Sequence, residues 1–128
     1  MQDHVGTFSA RTGSIHGAAS YASRLEWREG VRLLSVELDE VDWIGAAGNY
    51  VEIHTARRTH LVRHTVKAMQ AKLDPHRFVR VRPSAIVNVA RVAAVRTRPG
   101  GDYVVVLRDG TRIPSSRQFR EQVRARLR

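Results

Sequence analysis

From about residue 24 onward, apolar and polar positions alternate mostly with a period of two, the signature of half-buried strands, and only two stretches keep a helical period. Leu25-Glu26-Trp27 and Val31-Arg32-Leu33-Leu34-Ser35-Val36 flank Arg28-Glu29-Gly30, which predicts a hairpin with glycine at its turn. Leu38 to Val41 reads as a turn or a one-turn helix. Val41-Asp42-Trp43-Ile44 then reads as a strand running into a small-residue loop, Gly45-Ala46-Ala47-Gly48-Asn49, and Tyr50 to Thr55 returns. Arg57-Arg58 mark the next turn before Thr59-His60-Leu61-Val62, so these elements form a meander.

A helix is predicted at about residues 65–73, where Val66, Met69 and Leu73 recur at helical spacing and Asp74-Pro75 stops the run. Further on, Arg91 to Arg98 is a strand candidate carrying Val92 and Val95, Pro99-Gly100-Gly101 turns, and Asp102 to Leu107 returns. Asp109-Gly110 signals a tight hairpin into Thr111-Arg112-Ile113. A final helix is expected after Pro114, with Ser115 and Gln118 at capping-box spacing and Phe119, Val123 and Leu127 as its apolar stripe. Residues 1–23 scatter Val5, Phe8, Ile15 and Tyr21 at no period and read as a flexible segment or linker, leaving 24–128 as the folded domain. Many short strands without βαβ alternation make the fold class mostly antiparallel β.

The stretch Phe78-Val79-Arg80-Val81-Arg82-Pro83-Ser84-Ala85-Ile86-Val87-Asn88 interleaves two alternations. Read as a strand, it turns Val79 and Val81 to a packed face and Arg80 and Arg82 to the other. Pro83 cannot donate to a ladder, so the strand ends there or lies at an edge, and the two arginines are delivered to a loop. Alternatively, such arginines deter edge-to-edge aggregation.

Charge changes this picture. The 128 residues carry a formal net charge of +10, and the excess is uneven: through Asp74 nine basic residues face nine acidic ones, whereas from Pro75 onward thirteen arginines face Asp102, Asp109 and Glu121. The two halves thus carry 0 and +10, which implies a polyanionic partner meeting a face built mainly from the C-terminal half. The absence of cysteine fits a reducing compartment and excludes a thiol nucleophile or a cysteine-based zinc site. No run of about twenty apolar residues is present, and Met1-Gln2-Asp3-His4 lacks the pattern of a signal peptide, so a cytoplasmic location is expected. No Walker loop, Gly-x-Gly-x-x-Gly fingerprint or Gly-x-Ser-x-Gly elbow occurs, and the chain is not read as an enzyme or as needing a cofactor. His60 and His64 are four apart but straddle a predicted strand end, which argues against a metal site. Trp27, Trp43, Phe78, Tyr103 and Phe119 sit among apolar neighbours and read as core, not as base-stacking platforms.

Phe78, Arg80, Ser84, Val87 and Asn88 resemble the Phe-x-Arg-x-His-Arg-Ser-x-x-Val-Asn signature of LytTR domains, the bacterial DNA-binding domains of LytR/AlgR-type response regulators. Arg82 stands where that family has His, and Pro83 where it has Arg. Trp43 to Thr55 is similar to the family's strand, Ala-rich loop and Gly-Asn-Tyr return, and Asp109 to Phe119 to its hairpin ending in Pro-x-Ser-Arg-x-aromatic. The resemblance implies three small antiparallel sheets in an elongated array with two short helices. It also implies double-stranded DNA, read by loops between strands on promoter direct repeats, as the partner of a transcription regulator, with two copies pairing on those repeats. Carried over, it marks Asn49, Tyr50, Arg82 and Arg117 for base contacts, and Arg63, Arg80, Ser84, Ser116 and Arg120 for phosphates. Asn49 also fits a bare hairpin turn, and Arg82 suits a phosphate as well as guanine. An RNA- or ribosome-associated β domain, or a module for an acidic protein, would share the charge but not the three blocks. No receiver-type βα repeat lies in the chain, so a regulatory domain would have to lie outside it.

Overall fold

The computed structural model describes residues 5–12 and 21–128. Among them, eleven strands and two short helices build three antiparallel sheets, as the resemblance implied. The first sheet has the order β1 (Val5–Thr12), β2 (Ala22–Glu29), β3 (Arg32–Glu37). Its β2–β3 hairpin is the expected one, with Gly30 at φ 64°, a value open to glycine without cost. Strand β1 departs from the expectation of an unpatterned segment: it pairs antiparallel with β2 through an irregular register. Ladder pairing needs only backbone N–H and C=O groups, so a strand can form where the sequence shows no alternation. Residues 1–4 and 13–20 lie outside the described residues.

The central sheet has the order β6-β5-β4-β8-β7, from β4 (Val41–Ala47), β5 (Tyr50–Thr55), β6 (Thr59–Arg63), β7 (Phe78–Arg82) and β8 (Ala85–Asn88). A 3-10 turn, Leu38–Glu40, leads into it. The meander and the β7–β8 hairpin join where Trp43 pairs with Val87, Ile44 with Ile86 and Gly45 with Ala85. Strand β4 runs three residues further than its apolar pattern predicted, because Gly45 belongs to the strand: a Cβ there would sit 2.6 Å from the Trp43 ring. Helix α1 (Val66–Lys72) forms as predicted, with the Thr65 hydroxyl accepting from the Ala68 N–H at 3.0 Å and Val66, Met69 and Leu73 buried.

The third sheet has the order β11-β10-β9, from β9 (Val92–Thr97), β10 (Tyr103–Leu107) and β11 (Arg112–Pro114), followed by α2 (Arg120–Leu127). The last helix starts later than expected. A 3-10 turn, Arg117–Phe119, precedes it, and the capping box does not form, because the buried Ser115 hydroxyl accepts from the Tyr103 N–H at 3.1 Å.

Two apolar cores result, and β7 and β8 feed both. Phe78 and Ile86 join Leu25, Trp27, Ile53 and Met69, while Val79, Val81, Ala85 and Val87 join Tyr103, Val105, Leu107 and Val123. Every residue of β8 is therefore buried. Burying one such side chain contributes about 1.5–3 kcal/mol, so this hairpin anchors both halves. Its signature Asn88 is structural: its amide donates to Val41 O at 2.8 Å and its oxygen accepts from the Ala90 N–H at 3.0 Å.

One expectation for β7 fails. The register runs from Arg80 opposite Ile86 to Arg82 opposite Ala85, so Val81 is an extra residue in a β-bulge. Cross-strand partners share a face. Arg80 therefore stands on the Ile86 side and Arg82 on the Ala85 side, towards opposite cores.

Candidate nucleic-acid interface

The β4–β5 and β7–β8 turns lie at one end of the central sheet, where two grooves open side by side. The first, of about 680 Å³, is lined by Asn49, Tyr50, Arg63, Lys67, Arg80 and Ser84 among others. The second, of about 210 Å³, is lined by Trp43, Arg82, Ser84, Arg112 and Pro114 among others. Ala46 and Ser84 line both, joined by a hydrogen bond of 2.8 Å from the Ala46 N–H to Ser84 O that extends the β4–β8 ladder to the turn. Among the described residues, no Asp or Glu lines either groove.

Each side chain gets there by a local cause. Gly48, at φ 64°, turns β4 into β5 and leaves Asn49 exposed at the tip. Arg63 ends β6 directly opposite Tyr50 in register. Arg80 donates from Nη1 to Gln70 Oε1 at 3.1 Å and from Nη2 to Pro83 O at 2.8 Å, with its Cζ 5.3 Å from the centre of the Phe119 ring. Arg82, sent to the other side by the bulge, donates from Nη1 to Pro114 O at 3.3 Å. Ser116 is tied to the bulge by its N–H, 3.0 Å from Val81 O, and its buried hydroxyl has no partner.

The predicted site is thus partly assembled. Asn49, Tyr50, Arg63, Arg80 and Ser84 meet in the first groove, and Arg82 and Ser84 in the second. Arg117 and Arg120 line neither. Arg117 is exposed at the start of the 3-10 turn rather than at the start of α2, and the Arg120 guanidinium lies against Gly101, where an added Cβ would be 3.1 Å from Nη1. Lys67 and Arg112 were missed: in the sequence, Lys67 is an ordinary polar position of α1 and Arg112 a residue after a hairpin turn. Only the fold brings them to the grooves.

The opposite end of the sheet is also rich in arginine, but there Arg77 and Arg91 are paired with carboxylates. Arg77 forms an ion pair with Asp39, Arg91 Nε lies 3.4 Å from Asp42 Oδ1, and Arg91 Nη2 donates to Asp39 O at 2.7 Å. Burial raises the Asp42 carboxyl above its usual range, against the pull of Arg91. His60 packs edge-on against Trp27, with ring centres 5.1 Å apart, whereas His64 lines the first groove. Desolvation lowers both imidazoles, aided by Arg58 for His60 and by Lys72 for His64.

Comparison with known proteins decides what this surface belongs to. Residues 31–128 match the family model of the LytTr DNA-binding domain. The chain belongs to this family. Among relatives, it is 23% identical to the sensory transduction protein LytT of Bacillus anthracis over 96 residues, which is 75% of this chain and 39% of that protein. It is 24% identical to LytT of Bacillus subtilis over 98 residues, 77% of this chain and 41% of that protein. It is 34% identical to the CO-responsive transcriptional regulator RcoM of Rhodospirillum rubrum over 71 residues, 56% of this chain and 30% of that protein. This LytTR chain therefore spans about two fifths, or less, of these relatives' lengths. The fold is that of the LytTr DNA-binding domain of a methyl-accepting/DNA response regulator from Bacillus cereus, with TM-score 0.74 and 19% identity over 82% of this chain and 96% of that one. As a LytTR domain, the chain is a DNA-binding module. Among its described residues, no helix is long and apolar enough to cross a membrane.

Proposed function

We propose that the two grooves and the adjoining Ser116-Arg117 turn read duplex DNA sequence-specifically, on promoter direct repeats, for a transcription regulator. The observation that carries this reading is the asymmetry between the ends of the sheet: both hold arginines, but among the described residues only the grooves at the turn end are free of lining carboxylates. Cations held beside neutral acceptors keep their charge for phosphates. In this reading Asn49 and Tyr50 approach base edges from the β4–β5 turn, Asn49 having the donor–acceptor pair that suits adenine. Arg82 and Arg117 address bases from the second groove and from the turn beyond it. Arg63, Lys67, Ser84, Arg112 and Arg120 hold phosphates, while Ser116, with its hydroxyl buried and its N–H on Val81 O, sets the turn that carries Arg117.

Selection of bound sequences from a random duplex pool, followed by affinity measurements over a salt series, tests the proposal. Short direct repeats should be enriched. If about five phosphates are neutralised, log affinity against log salt should fall with a slope near −4 to −5. A flat salt response, or a pool that remains random, would overturn it.

A further inference from the structure

We infer that Arg80 is a positioning residue of the interface, holding three separate DNA-facing segments in one geometry, and is not itself a phosphate contact. The inference rests on the proposed reading of the turn end. One guanidinium spans three segments remote in sequence: Gln70 of α1, Pro83 of the β7–β8 turn and Phe119 of the 3-10 turn before α2. Each lies close to an interface residue: Lys67 one turn earlier in α1, Ser84 next to Pro83, and Arg117 two residues before Phe119. Pro83 has no N–H, so its carbonyl is the only backbone hydrogen-bonding group it offers, and Arg80 takes it.

The chemistry of the fork explains why arginine is needed. Two Nη groups in one plane reach two acceptors on different elements, while the flat cation lies over an aromatic ring. Lysine would keep the charge, but its compact ammonium has no planar fork with which to span both acceptors while lying flat on the ring. The bulge at Val81 makes the link possible. It sends Arg82 to the other side, while Val81 O accepts the Ser116 N–H and brings the segment carrying Phe119 to the edge of β7. The geometry therefore ties the spacing between the β7–β8 turn and the Arg117 turn to a single side chain.

A charge-conserving comparison on the full 128-residue chain tests this. Wild type, Arg80→Lys, Arg80→Gln, Phe119→Leu and the double variant Arg80→Lys/Phe119→Leu are measured on the selected duplex and on a scrambled one across a salt series. Arg80→Lys should lose about tenfold in affinity for the selected duplex, keep its affinity for the scrambled one, and leave the salt slope unchanged. Phe119→Leu, which removes no charge, should lose a similar factor, and the double variant should lose little more than either single one. If Arg80→Lys matches wild type while Arg80→Gln weakens both duplexes alike and flattens the slope by about 0.9, Arg80 is a phosphate contact and the inference falls. Amide spectra of the free protein give a second readout: Arg80→Lys should shift both Ser84 and Arg117, and unchanged amides at both would overturn the link. Should Arg80→Lys fail to fold, Gln70→Ala and Phe119→Leu carry the same comparison. If wild type prefers no duplex, the reading of the surface fails, whereas the amide comparison still decides what Arg80 does.

Discussion

The two ends of the central sheet are made of similar residues but hold their arginines against different partners. At the start of β4, Arg77 and Arg91 face Asp39 and Asp42, and Arg108 Nε donates to Ala90 O at 3.0 Å, so cations there join the sheet to its neighbours. At the turn end, Arg80 and Arg82 donate to neutral oxygens, and Lys67 and Arg112 stand in the same grooves without a lining carboxylate. The proposed surface for a polyanion is thus picked out by the absence of lining carboxylates among the described residues, not by an arginine count. The turn end does not draw on the basic C-terminal half alone. Arg63 and Lys67 come to it from the balanced half, while Arg77 and Arg91, from the basic half, are spent at the other end.

The strongest way to break the comparison is to remove the scaffold both ends share. Ile86→Ala, at a fully buried position opposite Ile44 and Arg80, should cost about 2–5 kcal/mol in urea unfolding and abolish the ion pairs and the grooves in one transition. Two separate transitions would show that the ends fold independently.

Next comes a comparison beside the turn end. Arg117→Ala should cost about 1–3 kcal/mol on the selected duplex and relax preference at one base position. Arg124→Ala removes an exposed arginine whose Nη2 is already 2.5 Å from Glu121 Oε1, and should weaken selected and scrambled duplexes by one smaller factor. Equal losses with an unchanged specificity ratio would reduce Arg117 to a contributor to the general field.

The ends themselves can be set against each other. Arg91→Ala leaves Asp42 buried without its partner and should destabilise the fold by roughly 1–2 kcal/mol, discounted for the 40% exposure of Arg91, while leaving the salt slope of DNA binding intact. Arg112→Ala should do the reverse, lowering the magnitude of the slope by about 0.9 while changing stability by less than about 0.5 kcal/mol. If both variants changed both quantities, the division between paired and open ends would be lost.

The smallest effect is in pH. His60 and His64 are held below their usual 6.5, so between the folded and unfolded values the unfolded chain binds more protons. Stability from these groups is complete above 6.5 and declines as pH falls through the folded values. His64 lines the first groove, so its protonation adds a cation there: DNA affinity should rise as the melting temperature falls over this acid window. His64→Gln should remove the rise in affinity; a variant that keeps it would place the titrating group elsewhere.

Local pattern sufficed for much of this molecule. Period-two runs, Gly30, Asp109-Gly110 and the Thr65-to-Leu73 spacing placed the hairpins and α1, because a strand or helix shows its buried face at its own period. The three-block resemblance implied the three sheets and marked Asn49, Tyr50, Arg63, Arg80 and Ser84, which line the first groove. Strand β1 was invisible, since Val5 and Phe8, three apart, do not follow a period of two. The capping box was misread because Ser115, correctly spaced, has a stronger claim from Tyr103 across a sheet. Arg80 and Arg82, two apart, looked like a matched pair because the rule of alternation holds only in a regular ladder.

The sequence by itself determined that this is a small, basic, mostly antiparallel β domain resembling one DNA-binding family, because composition, period and turn chemistry are local properties. Only the tertiary structure decided which arginines remain available. That depends on the insertion of β8 between β4 and β7, the one-residue bulge at Val81, and the distances from each guanidinium to carboxylates dozens of residues away. Charge pairing acts through space over a few ångströms, and no reading along the chain measures that distance.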